Sequence, residues 1–214
     1  MPSTAAYAFA AAVVAAGALG VGTWIALDRD AGFAECGAGV ATGAASIGGP
    51  FTLTDASGAR VTEAEVIDRP TLLYFGYTFC PDVCPIDAAN MAVVDDMLAE
   101  EGHDVNTVFI SVDPERDTPE VVGDFVANLH PDMRGLTGSE EDVAEAAKAY
   151  RVYYNKVDGD DPEFYLMDHS AFIYFVAPDH GFLDIFRHGE PATAIAERAA
   201  CYLDALPEVE LPST

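Results

Sequence analysis

The stretch TLLYFGYTFCPDVCPID, residues 71–87, decides the fold and contains two of the four cysteines in the chain. It begins as an apolar, aromatic run of strand length and continues into a segment whose apolar residues recur at helical spacing until Gly102. Cys80 and Cys84 therefore lie where a predicted strand passes into a predicted helix. Because the positive end of a helix stabilises a thiolate, we expect this position to lower the pKa of the thiols.

Strand-like and helix-like segments alternate through the rest of the chain. VNTVFISVD predicts a second buried strand, and Thr118 and Ser139 predict the caps of two further helices. Residues 169–189 predict a hairpin, and residues 191–206 predict a last helix. This order favours an α/β fold, a thioredoxin-like sheet flanked by helices.

The N-terminal part of the chain differs in character. Residues 5–27 carry no charge, and a helix of this length crosses the ~30 Å hydrocarbon layer of a bilayer. We predict an N-terminal transmembrane helix within residues 1–30, an anchor or uncleaved signal, with a cleaved signal peptide as the alternative. Residues 31–49, rich in Gly, Ala and Ser, predict a flexible tether, residues 50–207 the folded domain and residues 208–214 a tail.

The charge of the chain excludes one class of partner. The 214 residues include 36 acidic and 10 basic side chains, which give a formal net charge of -26. No basic cluster interrupts this acidity, and an acidic surface repels the phosphates of nucleic acids. We therefore expect no nucleic-acid partner.

Two neighbouring thiols form either a redox pair or a site for a soft metal. Zinc normally takes four protein ligands, and only His169 has the character of a further ligand, so copper ranks above zinc. Asp168 is a candidate to orient the ring of His169, although spacing alone also leaves a structural role open for this histidine. The other histidines are predicted to face solvent or to cap elements: His103, His130, His180 and His188.

Three motifs, YFGYTFCPDVCP, ISVDPERDTP and DHSAFIYF, together resemble those of the Sco (synthesis of cytochrome c oxidase, also called SenC) family of membrane-anchored copper-binding proteins. The resemblance runs from about residue 50 to residue 206. It implies a thioredoxin-like domain that binds copper, as Cu(I) or Cu(II), through Cys80, Cys84 and His169. It also implies an anchor in the bacterial inner membrane with the domain in the periplasm, or alternatively in the mitochondrial inner membrane facing the intermembrane space.

The same resemblance implies a copper chaperone that helps to assemble the dinuclear copper centre of cytochrome c oxidase subunit II. The alternative is a thiol-disulfide oxidoreductase that keeps the cysteines of that centre reduced, because a dithiol that holds Cu(I) can also donate two electrons. Cys80 and Cys84 would then be the redox pair, and the sequence leaves open whether the chain is an enzyme. Other copper chaperones and thioredoxin-like reductants are further candidate partners.

Cys36 and Cys201 lie outside the family motif. In an oxidising compartment they would form a structural disulfide between the tether and the last helix, and the alternative is a buried Cys201 thiol with a free Cys36. A thiol peroxidase is disfavoured because Leu73 and Tyr77 occupy the places of its proline and threonine. A general thioredoxin-type reductase is disfavoured because it would normally have the narrower C-x-x-C spacing.

Overall fold

The computed structural model describes residues 33, 36–37, 47–157 and 164–206. The strands in this part of the chain are β1 (Thr52–Asp55), β2 (Arg60–Thr62), β3 (Thr71–Gly76), β4 (Asn106–Ser111), β5 (Arg134–Thr137), β6 (Tyr154–Val157), β7 (Leu166–His169), β8 (Phe172–Ala177) and β9 (Gly181–Arg187). The helices are α1 (Glu63–Val66), α2 (Val83–Glu100), α3 (Pro119–Ala127), α4 (Glu140–Ala149) and α5 (Ala192–Ala205).

The described residues form one large mixed sheet and one small sheet. The large sheet has seven strands in the order β2-β1-β5-β4-β3-β8-β9. Strands β3, β4 and β5 are parallel, whereas β8 pairs antiparallel with β3, β9 with β8, and β1 with β5. Strands β6 and β7 form a separate antiparallel pair. This mixed α/β arrangement confirms the predicted thioredoxin-like fold class.

The core of the domain is built around β3. All six residues of β3 are buried, as expected for a strand that is covered on both faces. Its neighbours β4 and β8 contribute further buried residues, and α2 packs beside α5. The end of β3 is therefore a rigid platform for the loop that follows it.

Several local predictions are confirmed. The side chain of Thr118 accepts a hydrogen bond from the Val121 amide, and that of Ser139 accepts one from the Asp142 amide, so both residues cap their helices. The predicted hairpin corresponds to β8 and β9, and Gly181 begins β9 with a positive φ of 72° that suits glycine.

The features that the sequence did not predict include the short helix α1, strand β5 and the hairpin formed by β6 and β7. Strand β5 has only four residues, too few for a periodic pattern. Three of the four residues of β6 are exposed, and β7 buries only Met167, so neither strand has the apolar run that marks a core strand.

The predicted membrane anchor, residues 1–30, and the predicted tail, residues 208–214, lie outside the described residues, as does most of the predicted tether. Among the residues that the structure describes, no helix combines the length and the apolar character needed to cross a bilayer.

Candidate metal centre

The two cysteines lie at the junction between β3 and α2. Cys80 is in the loop before the helix, and Cys84 is in the first turn of the helix. The backbone N–H of Cys84 points at the Sγ atom of Cys80, at 3.3 Å, so the first sulfur lies over the first turn of the helix. The side chain of Cys84 is fully buried, whereas Cys80 keeps 9% of its surface exposed.

His169 lies beside these thiols. Its Nε2 atom is 3.2 Å from the Sγ atom of Cys84. One ligand atom from each of Cys80, Cys84 and His169 can be chosen so that all three lie within 4.8 Å of one another. The predicted hairpin of residues 169–189 begins three residues too early, because His169 is the last residue of β7 in the small sheet and β8 begins at Phe172.

The orientation of the His169 ring is set by its backbone and by two tyrosines. The Nδ1 atom is 3.2 Å from the carbonyl oxygen of Ser170, which can only accept, so Nδ1 carries the proton and Nε2 presents its lone pair to the thiols. The rings of Tyr74 and Tyr77 meet the imidazole edge to face, with centroid separations of 6.2 and 5.8 Å. The side chain of Asp168 is exposed, and the carbonyl of Ser170 rather than this carboxylate contacts Nδ1.

Burial controls the protonation of the site. It raises the pKa of Cys84 far above its ordinary value, with the neighbouring Cys80 adding to the shift. We expected the position at the helix N-terminus to lower this pKa, but burial of the Cys84 thiol shifts it in the opposite direction. Burial also lowers the pKa of His169, which keeps the imidazole neutral and able to act as a ligand.

Gly76, at the end of β3, makes room for the Cys84 thiol. A Cβ atom at this position would lie 3.1 Å from the Sγ atom of Cys84 and 2.7 Å from Cε1 of Tyr74. Glycine is thus required here by packing, because the sulfur lies against the bare backbone. Sequence analysis did not single out Gly76, although a glycine at the end of an apolar strand is a signal of close approach.

A buried carboxylate lies one turn of α2 beyond Cys84. Asp87 is 2% exposed, and its Oδ1 atom is 2.8 Å from Nδ1 of His188. The side chain of His188 is exposed, as the sequence predicted, and its pairing with this buried carboxylate is a contact that the sequence did not indicate. The three remaining histidines lie elsewhere: His103 near Asp204, His130 near Asp95 and Asp96, and His180 near the carbonyl of Pro178.

The donor set fits copper. Two sulfurs and one imidazole nitrogen are soft or intermediate ligands, which suit copper and do not suit magnesium or calcium. The described residues offer no fourth histidine, cysteine or carboxylate ligand within this group, which disfavours a structural zinc site.

The outer cysteines are remote from this centre in sequence and joined to each other. The structure has a disulfide between Cys36 and Cys201, with Cα atoms 5.5 Å apart. The bond links the segment before the domain to helix α5. Next to it, the ring of Phe33 packs against those of His180 and Tyr202.

The chain has a thioredoxin-like sheet, two thiols between β3 and α2, and an imidazole that reaches them from the separate β6–β7 pair. These features define a class of protein, the thioredoxin-fold proteins with a soft-metal site at the loop between β3 and α2. Residues 39–204 match the family model described as SCO1/SenC. The chain therefore belongs to the SCO1/SenC family.

Individual relatives agree with this assignment. The chain is 46% identical over 203 residues to Protein SenC of Rhodobacter capsulatus, with 95% of this chain and 91% of the relative covered. It is 42% identical over 162 residues to the mitochondrial SCO1 homolog of Homo sapiens, with 73% of this chain and 54% of the relative covered. The chain thus spans nearly all of the bacterial relative but about half of the human one.

Solved structures of similar proteins contain copper. One is Arabidopsis thaliana ScoI with copper bound, which is 40% identical with a TM-score of 0.69 and covers 74% of this chain and 99% of its own. Another is Bradyrhizobium japonicum ScoI with copper bound, also 40% identical, with a TM-score of 0.66 and coverage of 75% and 99%. The homologous structures and the Cys-Cys-His group of this chain together identify copper as the metal of the site.

Proposed function

We propose that this protein carries copper as cargo, held by Cys80, Cys84 and His169, and delivers it to the dinuclear copper centre of cytochrome c oxidase subunit II. The observation that supports this proposal is the convergence of two sulfurs and one ring nitrogen within 4.8 Å. A member of the same family, BsSco, is described as one of the Sco cytochrome c oxidase assembly proteins and is 27% identical to this chain.

The burial of the ligands suggests how cargo would be exchanged. Binding of copper by both sulfurs releases the thiol protons, including the proton that burial holds on Cys84 at neutral pH. Cys80 is the more accessible of the two sulfurs, so a thiolate of the recipient would approach the metal from the side of Cys80. The neutral ring of His169 adds a nitrogen ligand, which favours Cu(II) more than it favours Cu(I).

The second candidate function is reduction of the recipient cysteines. It is favoured by the proximity of the two sulfurs, which have no disulfide in this structure. In this reaction the two thiols of Cys80 and Cys84 would form a disulfide, and the two electrons and two protons would reduce a disulfide of the recipient to two thiols. Other copper chaperones and thioredoxin-like reductants would then reload or reduce the site.

We further propose that residues 1–30 anchor the chain in a membrane, residues 31–49 form the tether, residues 50–207 form the copper-binding domain and residues 208–214 a tail. The similarity to bacterial SenC supports an inner membrane with the domain in the periplasm, and the mitochondrial relatives support the intermembrane space as the alternative. The Cys36–Cys201 disulfide also fits an oxidising compartment.

A transfer assay separates the two candidate functions. The copper-loaded protein is mixed with a reduced, copper-free subunit II domain, and the absorption of the dinuclear copper centre is followed. In parallel, the copper-free dithiol is mixed with the same domain in its oxidised form, and free thiols on the recipient are counted. We expect copper transfer in the first mixture. Thiol reduction without any copper transfer would instead favour the oxidoreductase.

A further inference from the structure

We propose that residues 113–117, DPERD, form a brace between two segments. One is the cysteine loop, residues 77–82 between β3 and α2, and the other is the histidine hairpin, the β6–β7 pair that carries His169. The brace thereby determines whether the metal centre has two ligands or three. This inference deepens the proposed function and rests on it. The brace follows β4 and lies within the motif ISVDPERDTP, which contributes to the family resemblance. Neither copper delivery nor thiol reduction, as proposed above, involves its residues directly.

The brace contacts the cysteine loop through Asp117, which is fully buried. Its Oδ2 atom accepts a hydrogen bond from the backbone N–H of Thr78 at 2.9 Å, and its Oδ1 atom accepts one from the Thr78 hydroxyl at 2.6 Å. The hydroxyl of Ser111 donates a further bond to Oδ2 at 2.6 Å. Thr78 precedes Cys80 by two residues, so Asp117 fixes the start of the loop that carries the first sulfur.

The brace contacts the histidine hairpin through Asp113 and Arg116. The hydroxyl of Tyr165 donates to Oδ1 of Asp113 at 2.7 Å, and Nη1 of Arg116 donates to the carbonyl of Tyr165 at 3.0 Å. The guanidinium group also lies 3.5 Å from the centroid of the Tyr165 ring. Tyr165 immediately precedes β7, whose last residue is His169, so these contacts fix one end of the strand that presents the imidazole.

Arg116 joins the two sets of contacts. Its Nε atom donates to Oδ2 of Asp113 at 2.6 Å, and the side chain is only 13% exposed. The same guanidinium lies 4.7 Å from the ring centroid of Phe79, the residue before Cys80. One side chain therefore contacts both the cysteine loop and the hairpin.

The hairpin needs such contacts because of its place in the fold. Within the described residues, β6 and β7 share no backbone ladder with the seven-stranded sheet. Apart from the short connection to β8, side-chain contacts therefore help to hold the hairpin against the domain. If the contacts to Tyr165 are lost, the imidazole keeps its contacts with the Ser170 carbonyl, Tyr74 and Tyr77, but the strand that carries it is held less firmly. The two sulfurs remain on their loop.

A set of variants in the purified full-length protein tests this inference. Arg116→Gln removes the contacts to Tyr165 and Phe79, and Tyr165→Phe removes a single hydroxyl in case the first variant folds poorly. Arg198→Gln is the matched control, because Arg198 pairs with Asp184, donates to the carbonyl of Ile185 and lies 4.5 Å from the ring centroid of Phe186, all outside the metal centre. The measurements are Cu(I) and Cu(II) affinity by ligand competition, amide hydrogen exchange of residues 164–170 without metal, and thermal unfolding.

We expect Arg116→Gln to weaken Cu(II) binding by about 10–100-fold, the cost typical of losing a group that orients a ligand, and to change Cu(I) binding far less. Exchange of the β7 amides should become faster in the metal-free protein. Tyr165→Phe should act in the same direction with a smaller change, and Arg198→Gln should alter neither the copper affinities nor β7 exchange.

Either of two results would contradict the proposed role of the brace. One is an equal loss of Cu(I) and Cu(II) affinity in Arg116→Gln that follows the loss of thermal stability, since that pattern indicates general destabilisation. The other is unchanged β7 exchange together with unchanged Cu(II) affinity. Failure of the proposed function has a different signature: the unaltered protein would bind no copper, while faster β7 exchange in Arg116→Gln would still support the brace.

Discussion

The cysteine loop and the histidine hairpin reach the same metal centre from very different surroundings. The loop connects β3, whose residues are all buried, to the long helix α2. The hairpin is a two-stranded sheet in which Leu166 and Asp168 are exposed. The sulfurs are therefore held by the core of the domain, whereas the imidazole depends on a few side-chain contacts. We therefore expect Cu(I) binding, for which two thiolates can suffice, to depend on the core, and Cu(II) binding to depend on the hairpin as well.

The largest expected effect comes from the cysteines themselves. Cys80→Ser and Cys84→Ser should each weaken Cu(I) binding by more than ~100-fold, since loss of a mere orienting partner already costs up to that much. Competition against a chromophoric Cu(I) chelator measures the affinity. If either variant keeps the Cu(I) affinity and stoichiometry of the unaltered protein, that sulfur is not a required copper ligand.

Removal of the imidazole should affect the binding of Cu(II) more than the binding of Cu(I). His169→Ala should lose the sulfur-to-Cu(II) charge-transfer absorption and retain appreciable Cu(I), because imidazole is a good Cu(II) ligand and the two sulfurs are unchanged. Absorption spectroscopy and Cu(I) competition on the same sample provide the measurement. Normal binding of both oxidation states would assign His169 a structural role and favour the thiol reductase.

A substitution of Gly76, which packs against the sulfur of Cys84, should disturb the cysteine loop without removing a ligand. Gly76→Ala places a Cβ atom 3.1 Å from the Sγ atom of Cys84 and should cost about 1–3 kcal/mol of stability, as overpacking usually does. Because Gly76 is in the core, both Cu(I) and Cu(II) affinity should fall. Chemical denaturation and copper competition test this. Gly123→Ala in α3, where a Cβ would lie 2.7 Å from the Cβ of Ala56, controls for overpacking outside the metal centre and should leave both copper affinities unchanged.

The carboxylate beside the imidazole should matter little. Asp168→Asn should change either copper affinity by less than about threefold, because its side chain is exposed and solvent screens its charge. Competition titrations in both oxidation states measure the change. A loss of Cu(II) affinity comparable to that of His169→Ala would instead show that Asp168 orients the ring, as the sequence suggested.

The smallest expected effect on the metal centre comes from the outer cysteines. Replacing both Cys36 and Cys201 by serine should leave both copper affinities unchanged while lowering stability by about 2–5 kcal/mol, the usual cost of removing a native disulfide. Peptide mapping of the unaltered protein without reduction should recover the two cysteines as one linked species. Alkylation of both thiols without prior reduction would contradict the bond.

Local patterns account for what the sequence predicted well. The apolar run of β3 and the helical spacing of α2 are contiguous in sequence, so the position of Cys80 and Cys84 between them could be inferred directly. His169 became a firm candidate only through the family resemblance, since the strand that carries it has no apolar period. Its place at the end of β7 therefore escaped prediction.

Other parts of the site depend on contacts between distant segments. The pairing of Asp87 with His188 spans 101 residues, and no local signal announces it. The raised pKa of Cys84 has the same origin, because the burial that causes it exists only in the folded domain. The role of the DPERD segment likewise requires knowing that the loop before Cys80 and the residue before β7 both contact it.

The Cys36–Cys201 disulfide would also limit the reach of the domain from the proposed membrane anchor. An extended chain reaches at most ~3.6 Å per residue, so the six residues from 30 to 36 span no more than about 20 Å, whereas the twenty from 30 to 50 span about 70 Å. With the bond closed, the proposed anchor therefore holds helix α5 close to the membrane surface. With the bond open, the same tether allows a radius more than three times as large. If residues 1–30 anchor the chain as proposed, this disulfide therefore determines how far from the membrane the copper-binding domain can reach.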